Sequence, residues 1–196
     1  FPYTTLFRSE INILLSKMPK EIMLPTEIKN FTKKLISWQR SQGRHHLPWQ
    51  INRTAYRVWL SEVMLQQTQV ATVIERYQAF LKRFPTVNDL AAANIDDVLA
   101  EWSGMGYYTR ARNLHKCARV VMSEHDGTFP SDPVALEKLP GIGRSTAAAI
   151  AVFAYGQRAA ILDGNVKRVL ARVWGVEADL SKSAETKKLW AHAETL

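Results

Sequence analysis

From Phe31 onward, apolar residues recur at helical spacing almost without interruption, and that property excludes sheet-based folds. Val70, Val73, Ile74, Tyr77, Leu81 and Phe84 form one stripe at the i, i+3, i+4, i+7 spacing. Pro85, which lacks an N–H, ends that helix. Phe31, Leu35 and Trp38 mark an earlier helix, broken by Gly43 and Pro48. Leu114, Ala118, Val121 and Met122 mark another, Val166, Leu170, Val173 and Trp174 a later one, and Glu185 to Leu196 the last. Strand-like alternation is nearly absent, and connections are short and built on Gly, Pro, Asn or Asp. The spacing predicts an all-α, multi-helix bundle. Residues 1–30 carry Pro2, Pro19 and Pro25 without a clear period, and are expected to be a poorly ordered leader.

Charge narrows the partner class. Lys and Arg outnumber Asp and Glu by 26 to 18, a net charge of +8, with a pI near 9.7. Such a surface favours polyanions through phosphate neutralisation and counterion release, and anionic membranes or RNA would attract it too. The one cysteine, Cys117, excludes an internal disulfide or a multi-cysteine metal site and reads as a small buried residue. The apolar stretch Thr146 to Tyr155 is too short to span a bilayer. Ile11 to Leu15 lacks a signal-peptide layout, so a soluble intracellular protein is expected.

The sharpest local motif is Leu139-Pro140-Gly141-Ile142-Gly143-Arg144-Ser145-Thr146-Ala147. A helix from Pro133 runs into a Gly-x-Gly turn, and a second helix starts at once. Gly141 and Gly143 let the backbone turn sharply and approach a partner closely. The N–H groups opening the second helix then point outward, with the positive end of the helix dipole behind them. That arrangement binds phosphate without reading bases. An ordinary helix–turn–helix corner is the bland alternative, but the full string resembles the helix–hairpin–helix of DNA repair glycosylases.

Two carboxylates stand alone. Glu62 is the only charged residue between Arg57 and Glu75, among Val58, Trp59, Leu60, Val63, Met64 and Leu65. Poor hydration there would raise its pKa and suit it to donate a proton, against a solvated helix strip as the alternative. Asp163 is the only acid between Glu137 and Glu177, amid Arg144, Arg158, Lys167, Arg168 and Arg172. Cations and a following helix near Asn165 would favour its charged form, yet helix capping alone would explain it equally well. Cleaving an N-glycosidic bond needs this division: acid for the leaving base, negative charge for the developing oxocarbenium sugar.

Several motifs then carry a resemblance. Leu47-Pro48-Trp49, the run Val58 to Val70 with Ser61-Glu62-Val63-Met64-Leu65-Gln66-Gln67-Thr68-Gln69, and Gly104-Met105-Gly106-Tyr107-Tyr108 come first. Arg110-Ala111-Arg112-Asn113-Leu114, the hairpin, and Ile161 to Leu170 follow in register. Together, over about residues 31–175, the chain resembles the MutY-type adenine DNA glycosylases within the helix–hairpin–helix glycosylase superfamily.

The resemblance implies an endonuclease III-like fold. Residues 31–50 would form a helix of a second helical domain, and residues 51–158 a six-helix domain with the hairpin at 133–154. Residues 159–196 would begin a second, cluster-bearing domain that looks cut off. It implies that Glu62 protonates adenine, at N7, and later helps activate water. Asp163 would stabilise or trap the oxocarbenium ion, and Asn165 would hold the sugar and the water. Gln67 and Tyr108 would wedge into the duplex where adenine flips out, while Trp49 and Leu65 line the base pocket or simply pack in the core. Gly141, Gly143, Arg144, Ser145 and Lys167 would contact DNA.

The bifunctional endonuclease III-like enzymes carry a catalytic lysine where this chain has Ser145. A serine forms no Schiff base, so a monofunctional enzyme is expected. The family partner is double-stranded DNA holding adenine opposite 8-oxoguanine or guanine, bound by a monomer. Full-length members carry a four-iron–four-sulfur cluster on four cysteines, absent from this chain, and a C-terminal domain that recognises 8-oxoguanine. Rival readings are a bifunctional glycosylase/lyase and a non-catalytic helix–hairpin–helix DNA-binding module. His45-His46 reads as a solvated loop rather than a metal pair, and Arg110, Arg112 and Lys116 either track phosphate or solubilise a helix.

Overall fold

The structure is a computed structural model that describes residues 25–176, 179–180 and 182–196. The described residues are helical or irregular and include no strand. They fall into two compact units: His46–Ala159, and a unit built from both ends of the chain, up to His45 and from Ala160 onward. Most of the leader expected at 1–30 lies outside the described residues.

The His46–Ala159 unit opens with a 3-10 turn, Pro48–Gln50, and continues through seven α-helices. These are α2 (Ala55–Leu65), α3 (Val70–Arg83), α4 (Val87–Ala92), α5 (Ile95–Glu101), α6 (Thr109–Glu124), α7 (Pro133–Glu137) and α8 (Arg144–Tyr155). Six were expected, and caps explain the extra one. Thr86 accepts from the Asp89 N–H while Asp89 accepts from the Thr86 N–H, a reciprocal box that starts α4. Asn94 accepts from the Asp96 N–H and restarts the chain as α5.

Helix α2 is the centre of this unit. Seven of its eleven residues are buried, among them Tyr56, Trp59, Leu60 and Met64. A helix apolar nearly all round belongs inside, and α2 packs mainly against α8, and also against α3 and α6. The buried Ser61 hydroxyl donates to the Val58 carbonyl, so the helix interior holds no unmet hydroxyl. The stripe on α3 splits by depth: Val70, Val73, Tyr77 and Phe84 are buried, with Ile74 and Leu81 packed over them. Aromatic pairs fix the centre, with Trp59 tilted on Phe129 and Phe80 edge-on to Trp102.

The other unit holds α1 (Pro25–Gln42), α9 (Gly164–Val173) and α10 (Ser183–Glu194). Helix α1 begins at Pro25, inside the stretch expected to be leader. Proline is well placed at a first helical turn, and Ile28 joins Phe31 against the local core. That core is small: Leu162, Leu170, Val173, Trp174 and Leu189. Phe31 meets Trp174 edge-on at 6.5 Å, and His192 stacks on the same indole at 4.9 Å between ring centroids.

Candidate nucleic-acid interface and excision site

The hairpin follows directly from local rules. Asp132 caps α7 by accepting from the Ala135 N–H at 2.9 Å, and Pro133 occupies the first helical position. After Glu137 the chain turns through Leu139 and Ile142, both buried, and leaves Gly141, Gly143 and Arg144 exposed. Gly141 is required twice over. Its φ is +74°, and an added Cβ would lie 2.8 Å from the Asn113 Cβ on α6. Gly143 differs: its φ is an ordinary −92° and a Cβ there would meet open space. No side chain caps α8 at Gly143, the position that starts its first turn. Ser145 lies half-buried in that first turn.

Glu62 is half-buried in the last turn of α2, among the buried residues Ser61, Val63 and Met64. Leu65 ends the helix and packs against the core. Trp49 is only 8% exposed and meets Tyr77 edge-on at 5.8 Å, so its ring belongs to the core of this unit. Burial pushes the Tyr77 phenol up to about 12, and its hydroxyl donates to the Arg57 carbonyl.

Beyond α2 the chain makes an exposed turn at Gln67, whose φ of +56° is unusual for a residue with a side chain. A second turn, Gly104 to Tyr108, projects Tyr107 and Tyr108 at 62% and 45% exposure. Tyr107, also left-handed at φ +48°, is the more exposed of the two, although the sequence singled out Tyr108.

Arg110 joins these two turns, a role no sequence pattern announced. Its Nη1 donates to the carbonyls of Val63, Met64 and Gln66 at 2.8, 3.0 and 2.5 Å. Its Nη2 donates to Thr68 Oγ1, the Met105 carbonyl and the Gly106 carbonyl at 2.9, 3.1 and 3.3 Å. The guanidinium also lies over the rings of Trp102 and Tyr107. It therefore closes the carbonyl end of α2 and neither tracks phosphate nor solubilises a helix. Arg112 and Lys116, by contrast, are exposed on α6.

In the other unit, Asp163 is exposed and caps α9. Its Oδ1 accepts from the N–H groups of Asn165 and Val166 at 3.0 and 2.8 Å. Its Oδ2 accepts from Asn165 Nδ2 at 3.3 Å, and Asn165 Oδ1 in turn accepts from Arg168. Asp163, Asn165 and Arg168 thus form one network, with Lys167 half-buried beside them in sequence. The Arg168 link was not foreseen, though its i, i+3 spacing from Asn165 could have shown it.

These features have a known setting. Residues 60–194 match the family model described as HhH-GPD superfamily base excision DNA repair protein. The chain belongs to this superfamily. Within it, the chain is 45% identical to the adenine DNA glycosylase of Buchnera aphidicola subsp. Baizongia pistaciae, over 85% of this chain and 47% of that protein. The chain thus spans about half the length of the curated relative it matches. A solved thermostable thymine-DNA glycosylase superposes with a TM-score of 0.77 at 28% identity, covering 86% of this chain and 77% of that one. A trapped endonuclease III–DNA covalent intermediate superposes at 0.71 with 21% identity, covering 89% of this chain and 84% of that one. The endonuclease III-like all-helical fold is therefore the fold of this HhH-GPD chain.

A four-cysteine cluster does not fit the residues present. Cys117 is the single cysteine; it is fully buried in α6, and burial holds its thiol up at about 12. Among the described residues no group of three or more His, Cys, Asp or Glu is placed to hold a metal ion. His45 instead contacts the Gln39 carbonyl at 3.0 Å. Among them, too, no helix is long and apolar enough to cross a membrane.

Proposed function

We propose that this chain carries the excision chemistry of an adenine DNA glycosylase acting inside the cell on double-stranded DNA, as a monomer. The observation that carries the reading is Glu62, a half-buried carboxyl at the end of an otherwise apolar helix, beside two turns that project Gln67 and Tyr107–Tyr108. The 45% identity to a protein named adenine DNA glycosylase supports adenine as the base.

In this reading the hairpin seats a backbone phosphate on the N–H groups that follow Gly143, aided by Gly141, Arg144 and Ser145. Gln67 and the tyrosine pair, Tyr108 included, enter the duplex as adenine leaves the stack. Trp49 and Leu65 back the apolar wall that receives the base. Glu62 delivers a proton to adenine N7 as the glycosidic bond breaks, and the bonding pair leaves with the base. Asp163 stabilises the positive charge that develops on the sugar, and Asn165 and Lys167 position the sugar and its phosphate. Water then adds at the sugar carbon, and Glu62 takes up its proton. Ser145 offers no amine at the hairpin for a Schiff base, which favours a monofunctional hydrolase over a glycosylase/lyase. The mispair partner is 8-oxoguanine or guanine.

Single-turnover release of adenine from an 8-oxoguanine·adenine duplex tests this, comparing the chain with Glu62→Gln. Release by the parent and its loss in the variant are expected, with no strand cleavage before alkali. Duplex binding without release from either protein would leave a helix–hairpin–helix binding module instead.

A further inference from the structure

We propose that Arg110 is a positioning residue that locks the Gln66–Gln69 turn and the Gly104–Tyr108 turn into one rigid edge, so that Gln67 and Tyr107–Tyr108 meet the duplex as a unit. This rests on the glycosylase reading above for its consequence, and on geometry for the coupling itself.

The geometry is unusually one-sided. The Arg110 guanidinium makes six hydrogen bonds, and four go to the α2 end and the turn after it, at Val63, Met64, Gln66 and Thr68. Two go to the second turn, at Met105 and Gly106. The first turn lies far from Arg110 in sequence, with 42 positions separating Thr68 from it. One side chain therefore ties together segments that share no local pattern.

Strain gives the tie a purpose. Non-glycine residues in the left-handed region persist only where their surroundings over-determine them. Gln67 is one, and Arg110 holds the residue on each side of it, at the Gln66 carbonyl and Thr68 Oγ1. Tyr107 is another, and Arg110 holds it twice. The Arg110 backbone N–H donates to the Tyr107 carbonyl at 2.9 Å, and its guanidinium lies 5.5 Å from the ring centroid. Trp102 supports the same turn from beneath, its Nε1 donating to the Gly106 carbonyl at 3.1 Å. Of the four left-handed non-glycine residues among the described residues, Asn52, Gln67, Tyr107 and Asp126, the guanidinium thus brackets the two that flank the end of α2 and the second turn, Gln67 and Tyr107.

A lysine keeps the charge and loses the planar fork that reaches two turns at once. Arg110→Lys and Arg110→Met are compared with the parent by amide hydrogen exchange and by single-turnover adenine release. Exchange is expected to rise together at residues 66–69 and 104–108. Release from the paired duplex is expected to fall about 10²-fold, the scale of a positioning error of about 1 Å. A duplex with a one-nucleotide gap opposite adenine lowers the cost of extrusion, so the deficit there shrinks by about tenfold.

Thr68→Val deletes one bond on the first turn and should fold even if the Arg110 variants do not. Faster exchange at 104–108 in that variant is the signature of coupling. Exchange that rises in one turn alone, or in neither, overturns the proposal, as does an equal loss of release on both duplexes. If the parent releases no adenine, the glycosylase reading fails, and the exchange measurements alone decide the coupling.

Discussion

Helices α2 and α9 each bring one of the two lone carboxylates to the fold, and they do it in opposite ways. Helix α2 sits in a large core, is capped by Thr54 at its start and closed by Arg110 at its end. Helix α9 borders a core of five buried residues and is started by Asp163 itself. One carboxylate rides on a helix whose two ends are held by other residues; the other caps the helix that carries it. Removing the charge should therefore separate chemistry from stability at Glu62 and confound them at Asp163.

The largest expected effect tests the first half of that contrast. Glu62→Gln should cut single-turnover adenine release by about 10²–10⁴-fold, the range of a lost general acid. Its thermal stability should change by less than about 1 kcal/mol, since Thr54 and Arg110 still hold the ends of α2 and its buried apolar residues are untouched. Next comes Asp163→Ala, which should lower both release and stability, the latter by about 1 kcal/mol for the lost cap. Asp163→Asn should restore most of the stability without the rate, because an amide oxygen still accepts the Asn165 and Val166 N–H bonds. A Glu62→Gln protein that melts earlier than Asp163→Ala would break the comparison.

Much of this architecture was legible in the sequence because its causes are local. Helical spacing, Pro85 and the Gly-x-Gly turn act over a few residues, and the observed helices follow them. Thr86 and Asn94 were missed as caps, although a Thr three residues before Asp89 is a readable box. Pro25 was read as part of a leader because the first helix buries none of its residues, so its apolar period is weak there. Arg110 was not legible at all. Five of its six side-chain bonds go to backbone carbonyls, three of them more than forty positions away, and carbonyls leave no mark in a sequence. Tyr107 was passed over for its neighbour because a left-handed φ at a tyrosine follows from the turn around it, not from the residue type.

The smallest effects belong to the hairpin, where two glycines look equivalent in sequence and are not equivalent in space. Gly141→Ala would place a left-handed alanine against the Asn113 Cβ and should cost about 1–3 kcal/mol of stability. Gly143→Ala meets nothing in the protein and has an ordinary φ, so its melting should shift by no more than about 0.5 kcal/mol. If open space at Gly143 is where a phosphate approaches, that same alanine should weaken duplex binding several-fold at fixed salt, about 1 kcal/mol. Thermal melts and duplex titrations of both variants make the check. Binding unchanged by Gly143→Ala would mean that the first-turn N–H groups of α8 hold no phosphate, and that the hairpin is only a corner of the fold.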